Sequence, residues 1–475
     1  MKRWRSITAA GIVATSGALA FAQQRVAPLP PLREPGRYAR PAAYQADAST
    51  PPARLPSESL PPESPMPQPR SVEPPRDAPS PPDAPAPQAQ LTLADAEAIA
   101  LGNHPGLARA SARVSAARGA WLQAGLLPNP TAGYMGEEMG DDDTAGMQGA
   151  FVGQEIVTAG KLRLSRAVAA QEIRRAEAEL EAMRFRVTAD VQSAFYDALV
   201  AQETIRMVAD LVRIATDAVK TTETLFSQGE VSRVELLQAR IEANTTQLLL
   251  DTTRNGHAAA VRRLEAQLGS VGPLGELAGD PRAGLPQIAW DEALGRLLAE
   301  SPELAAAQAM VDKAGWAVDR ARAERIPNVD AQVAVLHNNA TQQDVASVGI
   351  GLPLPIFNRN QGGIQAARAE LSAANSNVVR VEQDIKRRLA GTYERYDNAR
   401  RRVDEYQHRI LPDAKEALDL VEVGYRNGEF GYLTLLTTQR TYVETHLSFL
   451  DALRELREAA AIIDAMLLDG SLEDR

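Results

Sequence analysis

Eleven positions spaced alternately four and three residues apart dominate the first half of this chain. Val187, Val191, Ala194, Ala198, Ala201, Ile205, Val208, Val212, Ala215, Val219 and Thr222 form the 3.5-residue seam of a supercoiled helix. The pattern predicts one helix from near Gly160 to Phe226, about 100 Å long at ~1.5 Å per residue. No compact domain has a core of that length. A second seam runs through Leu371, Ala374, Val378, Val381, Ile385, Leu389, Thr392, Tyr396, Ala399, Val403, Tyr406 and Ile410. The alanines on both seams imply close approach of neighbouring helices over an extended surface. Pro412 should bend the second helix, because proline removes one helical hydrogen bond and displaces the preceding turn.

The seams belong to a larger duplication. "LADAEAIALGNHPGL" (93–107) aligns with "WDEALGRLLAESPEL" (290–304), "AGLLPNP" (124–130) with "AERIPNV" (323–329), and "LFSQGEVSRVELLQ" (225–238) with "GYRNGEFGYLTLLT" (424–437). Each unit reads as helix, hairpin, very long helix, sharp turn, helix. The hairpins, 131–156 and 330–356, each pair runs of about eight to ten residues, the length of a tilted strand crossing a bilayer. Their apolar alternation is weak and includes Val333, Val335, Val345, Val348, Ile350 and Leu352. A soluble hairpin has the same appearance. Periodicity alone fits an isolated antiparallel coiled coil equally well. A coiled-coil rod, however, has no reason to interrupt itself twice, at matching places, with strand pairs of membrane-crossing length.

Composition bounds the setting. Residues 1–22 carry Lys2, Arg3 and Arg5 ahead of an apolar run from Ile7 to Ala20 and a small-residue site at Ala20-Phe21-Ala22, which predicts a secretory leader. Residues 23–90 hold twenty of the 31 prolines and read as an extended, disordered arm. The first structural unit is expected over 91–285, the second over 286–470, and a tail over 471–475. The chain has no cysteine, which removes disulfides, thiol catalysis and thiolate metal sites. A net charge of −10 with dispersed basic residues argues against nucleic acid as a partner. No apolar stretch past residue 90 is long enough for a transmembrane helix.

"LPNP", "ERIPN", "PLPIFNRNQGGIQAARAEL" and the two glycine turns followed by "VELLQAR" and "YLTLLTTQR" resemble the TolC-like outer-membrane factor family, most of all its heavy-metal efflux (CzcC-like) branch. The likeness runs from about Leu91 to Leu468 in one order. It implies a mainly α fold with membrane β. Long antiparallel helices would form a periplasmic α-barrel, and each chain would give four strands to a 12-stranded trimeric outer-membrane β-barrel. Four strands cannot close a barrel alone, and open edges in lipid cost several kcal/mol per unpaired group. The implied partners are two further copies, a periplasmic adaptor (membrane fusion protein), an inner-membrane RND transporter and outer-membrane lipid. The implied function is the passive exit duct of a tripartite RND-type efflux pump for heavy-metal cations, with drug efflux or type I protein secretion as the alternative. A periplasmic coiled-coil adaptor or scaffold without a pore is the reading from a different class.

On the resemblance, "LPLPIFNRNQGGIQ" (352–365) is a strand-to-helix junction carried by Pro353, Pro355, Asn358, Gly362 and Gly363, and "EIVTAGKLR" (155–163) is its first-unit counterpart. The prolines would stop ladder pairing and the glycines would supply the unusual backbone angles. By position, Gly229, Ser232 and Gly428 would meet the adaptor at the periplasmic tip. Glu235, Thr434 and Thr437 would stand at a channel aperture. Relatives often have aspartates where Thr434 and Thr437 stand here, so Glu235 is the remaining acidic candidate.

No catalytic constellation and no cofactor site is expected. His104, His257, His337, His408 and His446 lack ligand spacing, which points to solvated or helix-surface roles. The carboxylates of "GEEMGDDDTAG" (136–146) read as a solvated acidic loop ahead of a cation site.

Overall fold

The computed structural model describes residues 90–140, 145–269 and 274–473. The leader, the proline-rich arm and Asp141 to Asp143 of the acidic loop lie outside them.

Among the described residues nine α-helices and four strands follow the duplicated order, with two helices instead of the expected one ahead of each hairpin. The first unit comprises α1 (Leu93–Asn103), α2 (Pro105–Gln123), β1 (Thr131–Glu137), β2 (Met147–Ile156), α3 (Lys161–Gln228) and α4 (Arg233–Leu268). The second comprises α5 (Trp290–Glu300), α6 (Pro302–Ala323), β3 (Val329–Asn338), β4 (Gln343–Gly351), α7 (Gln361–Glu405), α8 (Leu411–Arg426) and α9 (Tyr432–Asp464). Among the described residues no helix is long and apolar enough to cross a membrane.

Helix α3 runs unbroken for 68 residues, with no proline or glycine inside it. Its seam is buried at Val187, Val191, Ala198, Val208, Ala215 and Thr222. Phe195, Leu199, Val200 and Leu211 are buried as well, because α3 packs on α1, α2, α4, α6 and α9. Helix α7 buries Ile385, Leu389, Tyr396, Ala399 and Val403, and there the regular seam ends. Residues Tyr406–Ile410 form a π-helical turn directly before Leu411 and Pro412. The turn absorbs the proline by adding a residue to the helical circuit. The added residue rotates the seam, so Ile410 emerges 37% exposed where the heptad count expects burial.

Each unit has its own core. One joins Ala96 and Ala100 of α1 to Val187, Val191 and Phe195 of α3 and Leu264 and Leu268 of α4. The other joins Leu297 of α5 to Ile385, Leu389 and Tyr396 of α7 and Leu453 and Leu456 of α9. The inter-unit linker is pinned to the second core. The Tyr396 hydroxyl donates to the Pro286 carbonyl at 2.8 Å and accepts from the Ile288 N–H at 2.8 Å. Buried Arg457 donates to the carbonyls of Pro281, Ala283 and Gly284.

One expectation changes here. His104 is buried at 2% exposure, not solvated. Its Nδ1 accepts from the Gly106 N–H and caps α2, and its Nε2 lies 3.3 Å from Ser471 Oγ. Ser471, the first residue of the expected tail, is buried too: Asp190 accepts from the N–H groups of Gly470 (3.0 Å) and Ser471 (2.6 Å) and from the Ser471 hydroxyl (2.5 Å). His257 and His446 are half-buried, each with one ring nitrogen lacking a hydrogen-bond partner among the described residues.

Tyr396→Phe keeps the ring and removes both hydroxyl bonds, leaving the Ile288 N–H and one acceptor unpaired. The expected cost is about 1–3 kcal/mol. It should appear as a lower thermal midpoint and faster hydrogen exchange at the Ile288 amide.

Candidate functional site

The strands form one antiparallel sheet in the order β1-β2-β3-β4. Register puts Val152, Val333 and Val348 in one row and Ala150, Val335 and Ala346 in the next, with Tyr134 opposite Ala150 on β1 and Ile350 opposite Ala331. Alternation assigns all of these to a single face. That face is apolar and open, with Val348 71% and Ile350 74% exposed. A polar row of Gln148, His337 and Asp344 ends the band near the hairpin loops, where His337 Nδ1 lies 2.9 Å from Asp344 Oδ1. The other face carries Glu137, Gln332, Asn338 and Ser347, together with Phe151, whose ring lies where a Cβ on Gly133 would sit. Val345 belongs to this second face, since it pairs with Leu336. The step from 345 to 348 is odd, so the two valines point to opposite sides, and the apolar series expected from sequence divides between them.

The strands hand over to helices at two junctions of unequal finish. In the first, Ala159 (φ 55°) and Gly160 (φ 64°) take consecutive left-handed conformations before α3. Asn328, on the connector between α6 and β3, closes over them. Its Oδ1 accepts from the Thr158 N–H (3.3 Å) and from Lys161 Nζ (2.6 Å), and its Nδ2 donates to Glu155 (2.6 Å). The Thr158 hydroxyl donates to the Pro327 carbonyl at 2.6 Å, and Glu324 pairs with the buried Lys161 at 3.4 Å. In the second junction the left-handed residue is Asn360 (φ 54°). Gly362 and Gly363 lie inside the first turn of α7 and supply no unusual angle. Gly363 serves by having no side chain: a Cβ there would lie 2.2 Å from the Asn360 amide oxygen, whose Nδ2 donates to the Ala321 carbonyl. Pro353, Pro355 and Asn358 occupy the extended stretch between β4 and α7, where the Asn358 side chain accepts from the Asn360 N–H.

At the far end of the helices the two turns close alike. Gly229 (φ 75°) and Gly428 (φ 76°) end α3 and α8 in left-handed conformations. The next residue's N–H returns to a carbonyl five residues back, Glu230 to Leu225 and Glu429 to Gly424, the Schellman geometry. The starts of the following helices differ. Ser232 and Glu235 form a reciprocal capping box, in which the Glu235 carboxylate accepts from the Ser232 N–H at 2.8 Å. Gly431 starts α9 with no side-chain cap, and Thr434 and Thr437 stand exposed on its first turns. A small core of Ala239, Tyr425, Tyr432 and Leu435 holds the four helices together near the turns. Thr222 Oγ1 and the Tyr425 hydroxyl lie 3.0 Å apart. Burial, with the Glu242 charge assisting, pushes the Tyr432 hydroxyl up to about 12, so it stays protonated. Among the described residues no cluster of three or more His, Asp or Glu could hold a metal.

The model of the family described as outer membrane efflux protein matches residues 98–270 and 293–467, one span in each half. The chain belongs to the outer membrane efflux protein family. Membership places it at the outer membrane, with the long helices as its periplasmic part, and makes it a channel component, not an enzyme. It is similar to the cobalt-zinc-cadmium resistance protein CzcC of Cupriavidus metallidurans, 26% identical over 377 residues, 79% of this chain and 90% of that one. Its fold is similar to that of CusC in crystal structures (TM-score 0.67, 18% identity, 83% of this chain and 99% of that chain). It is also similar to VceC of Vibrio cholerae (TM-score 0.65, 19% identity, 79% and 96%).

A Cβ at Gly428 meets nothing within 4 Å, so Gly428→Ala carries only the left-handed strain, about 1–2 kcal/mol. Exchange at the Glu429 amide should accelerate about tenfold. At Gly424 the added Cβ would lie 2.3 Å from the Phe430 ring. Gly424→Ala should therefore displace Phe430, which is visible as a changed ring environment by NMR, while Gly428→Ala leaves it in place.

Proposed function

We propose that this protein is the outer-membrane duct of a tripartite efflux pump, a passive conduit for heavy-metal cations. The observation that carries the duct is the sheet. Among the described residues its four strands have two edges without partners, and one face is an open apolar band. In hydrocarbon such a sheet is stable only when closed, because each unpaired backbone group costs several kcal/mol. Three copies supply twelve strands, and the same closure arranges the helices of about 100 Å as a hollow cylinder. The helix turns, carrying Gly229, Ser232 and Gly428, then face the periplasm as the docking end for an adaptor, which links the duct to an RND transporter in the inner membrane. Glu235, Thr434 and Thr437 stand near the same end as aperture residues. The metal cargo rests on the likeness to CzcC along most of both chains.

Two experiments test the reading. Val348→Arg puts a charge on the open apolar face, at an expected cost of about 2–4 kcal/mol if the residue lies near the bilayer midplane. It should lower the yield of heat-dissociable trimer in the outer membrane, whereas Ser347→Arg on the other face should be tolerated. A deletion strain grown across graded zinc, cobalt, nickel, cadmium, copper and silver, beside hydrophobic drugs and detergents, should lose tolerance to one metal group alone. Loss of drug tolerance alone would remove the metal cargo and leave the duct.

A further inference from the structure

The duplication makes the two strand-to-helix junctions counterparts, yet among the described residues only the first is clasped by an asparagine from a neighbouring connector. Gly160 and Asn360, both left-handed and both immediately before a long helix, fix the alignment. Thr158 corresponds to Asn358, and Lys161 to Gln361. The residue that clasps the first junction, Asn328, comes from the connector leading into the adjacent strand β3. Its own counterpart is Asn129, in the connector leading into β1.

Asn129 is exposed and has no hydrogen-bond partner among the described residues. Beside it Leu127 is 69% exposed. At the opposite edge of the sheet the second junction is equally uncovered: Leu354 is 70% and Phe357 89% exposed. An asparagine without a partner and an unclasped junction thus stand at the two open edges of one sheet, next to β1 and β4.

We infer that the second junction is completed by the first connector of another copy of this chain, with Asn129 over Asn358 as Asn328 lies over Thr158. Within the chain β2 runs beside β3, so the connector preceding β3 reaches the junction following β2. When β4 of one copy runs antiparallel beside β1 of the next, the connector preceding β1 reaches the junction following β4 by the same geometry. The Asn129 amide then meets the backbone at Asn358. Leu126 and Leu127 cover Leu354 and Phe357, removing from water apolar surface that the described residues of one chain leave open. The clasp occurs once within each chain and once between each pair of neighbours. This assignment rests on the trimeric reading above and adds the residues that join its members beneath the barrel.

The absence of native cysteine makes the test clean. The full-length double variant Asn129→Cys with Asn358→Cys is treated in outer membranes with a short thiol-reactive cross-linker and run in denaturing gel. Thr158→Cys with Asn328→Cys serves as the in-chain reference. The expected result is covalent dimer and trimer from the first pair, and only intramolecular product from the second. Asn129→Ala alone should lower the temperature at which the trimer dissociates. A 129/358 variant that still forms heat-dissociable trimer but yields no covalent oligomer would overturn the clasp and leave the trimer intact. An unmodified chain that forms no trimer at all would overturn the trimeric reading, and the clasp with it.

Discussion

A backbone N–H or C=O in hydrocarbon has no water to fall back on, and most of this molecule follows from that constraint. The chain supplies four strands whose outer pair, β1 and β4, each have a neighbour on one side only. Such a sheet is admissible in a membrane only as part of a closed figure. Closure fixes which face of each strand meets lipid, and the apolar row of Val152, Val333 and Val348 answers to it. Alanine along the α3 seam lets neighbouring helices approach closely, and the buried clusters of the two units extend along the helices.

Converting strand into helix within a few residues demands backbone angles that most residues avoid. The chain meets the demand at matching places by different means. Ala159 and Gly160 turn the first junction, and a buried lysine held by Asn328 and Glu324 fixes it. Asn360 turns the second, held by its own amide on the Ala321 carbonyl. Asparagine tolerates the left-handed region because its short polar side chain finds local partners. Gly363 gives that side chain its room.

What the sequence made legible was periodic or local. The 3.5-residue seams located α3 and α7, the duplicated segments paired α1 with α5, and the glycine turns ended α3 and α8 where the structure ends them, while α2 and α6 were not separated from the helices before them. Features that depend on a distant partner stayed hidden. Nothing near His104 in the chain announces Ser471, and nothing in "ERIPN" announces that Asn328 reaches Lys161. Register is a further blind spot: Val345 looked like a member of the apolar series until pairing with Leu336 put it on the other face. The capping role of Glu235 was readable, since Ser-x-x-Glu before an apolar run is a local signature. It was overshadowed by the carboxylate's place near the turn.

The duplication also makes the two helical hairpins comparable, and they are not equally anchored. α3 enters its turn as one continuous helix, and α4 leaves it with a capping box at Ser232 and Glu235. α8 is separated from α7 by the π-turn, carries Pro412 in its first turn, and passes into α9 through Gly431, which offers no side-chain cap. A cap is worth about 1 kcal/mol, and a π-turn interrupts the helical ladder that would otherwise transmit rigidity. The α8–α9 hairpin is therefore held mainly by its neighbours, through Tyr425 against Thr222 and through Arg440 paired with Glu242. Its position is set by contacts that can be exchanged, while that of α3 and α4 is set by the helices themselves.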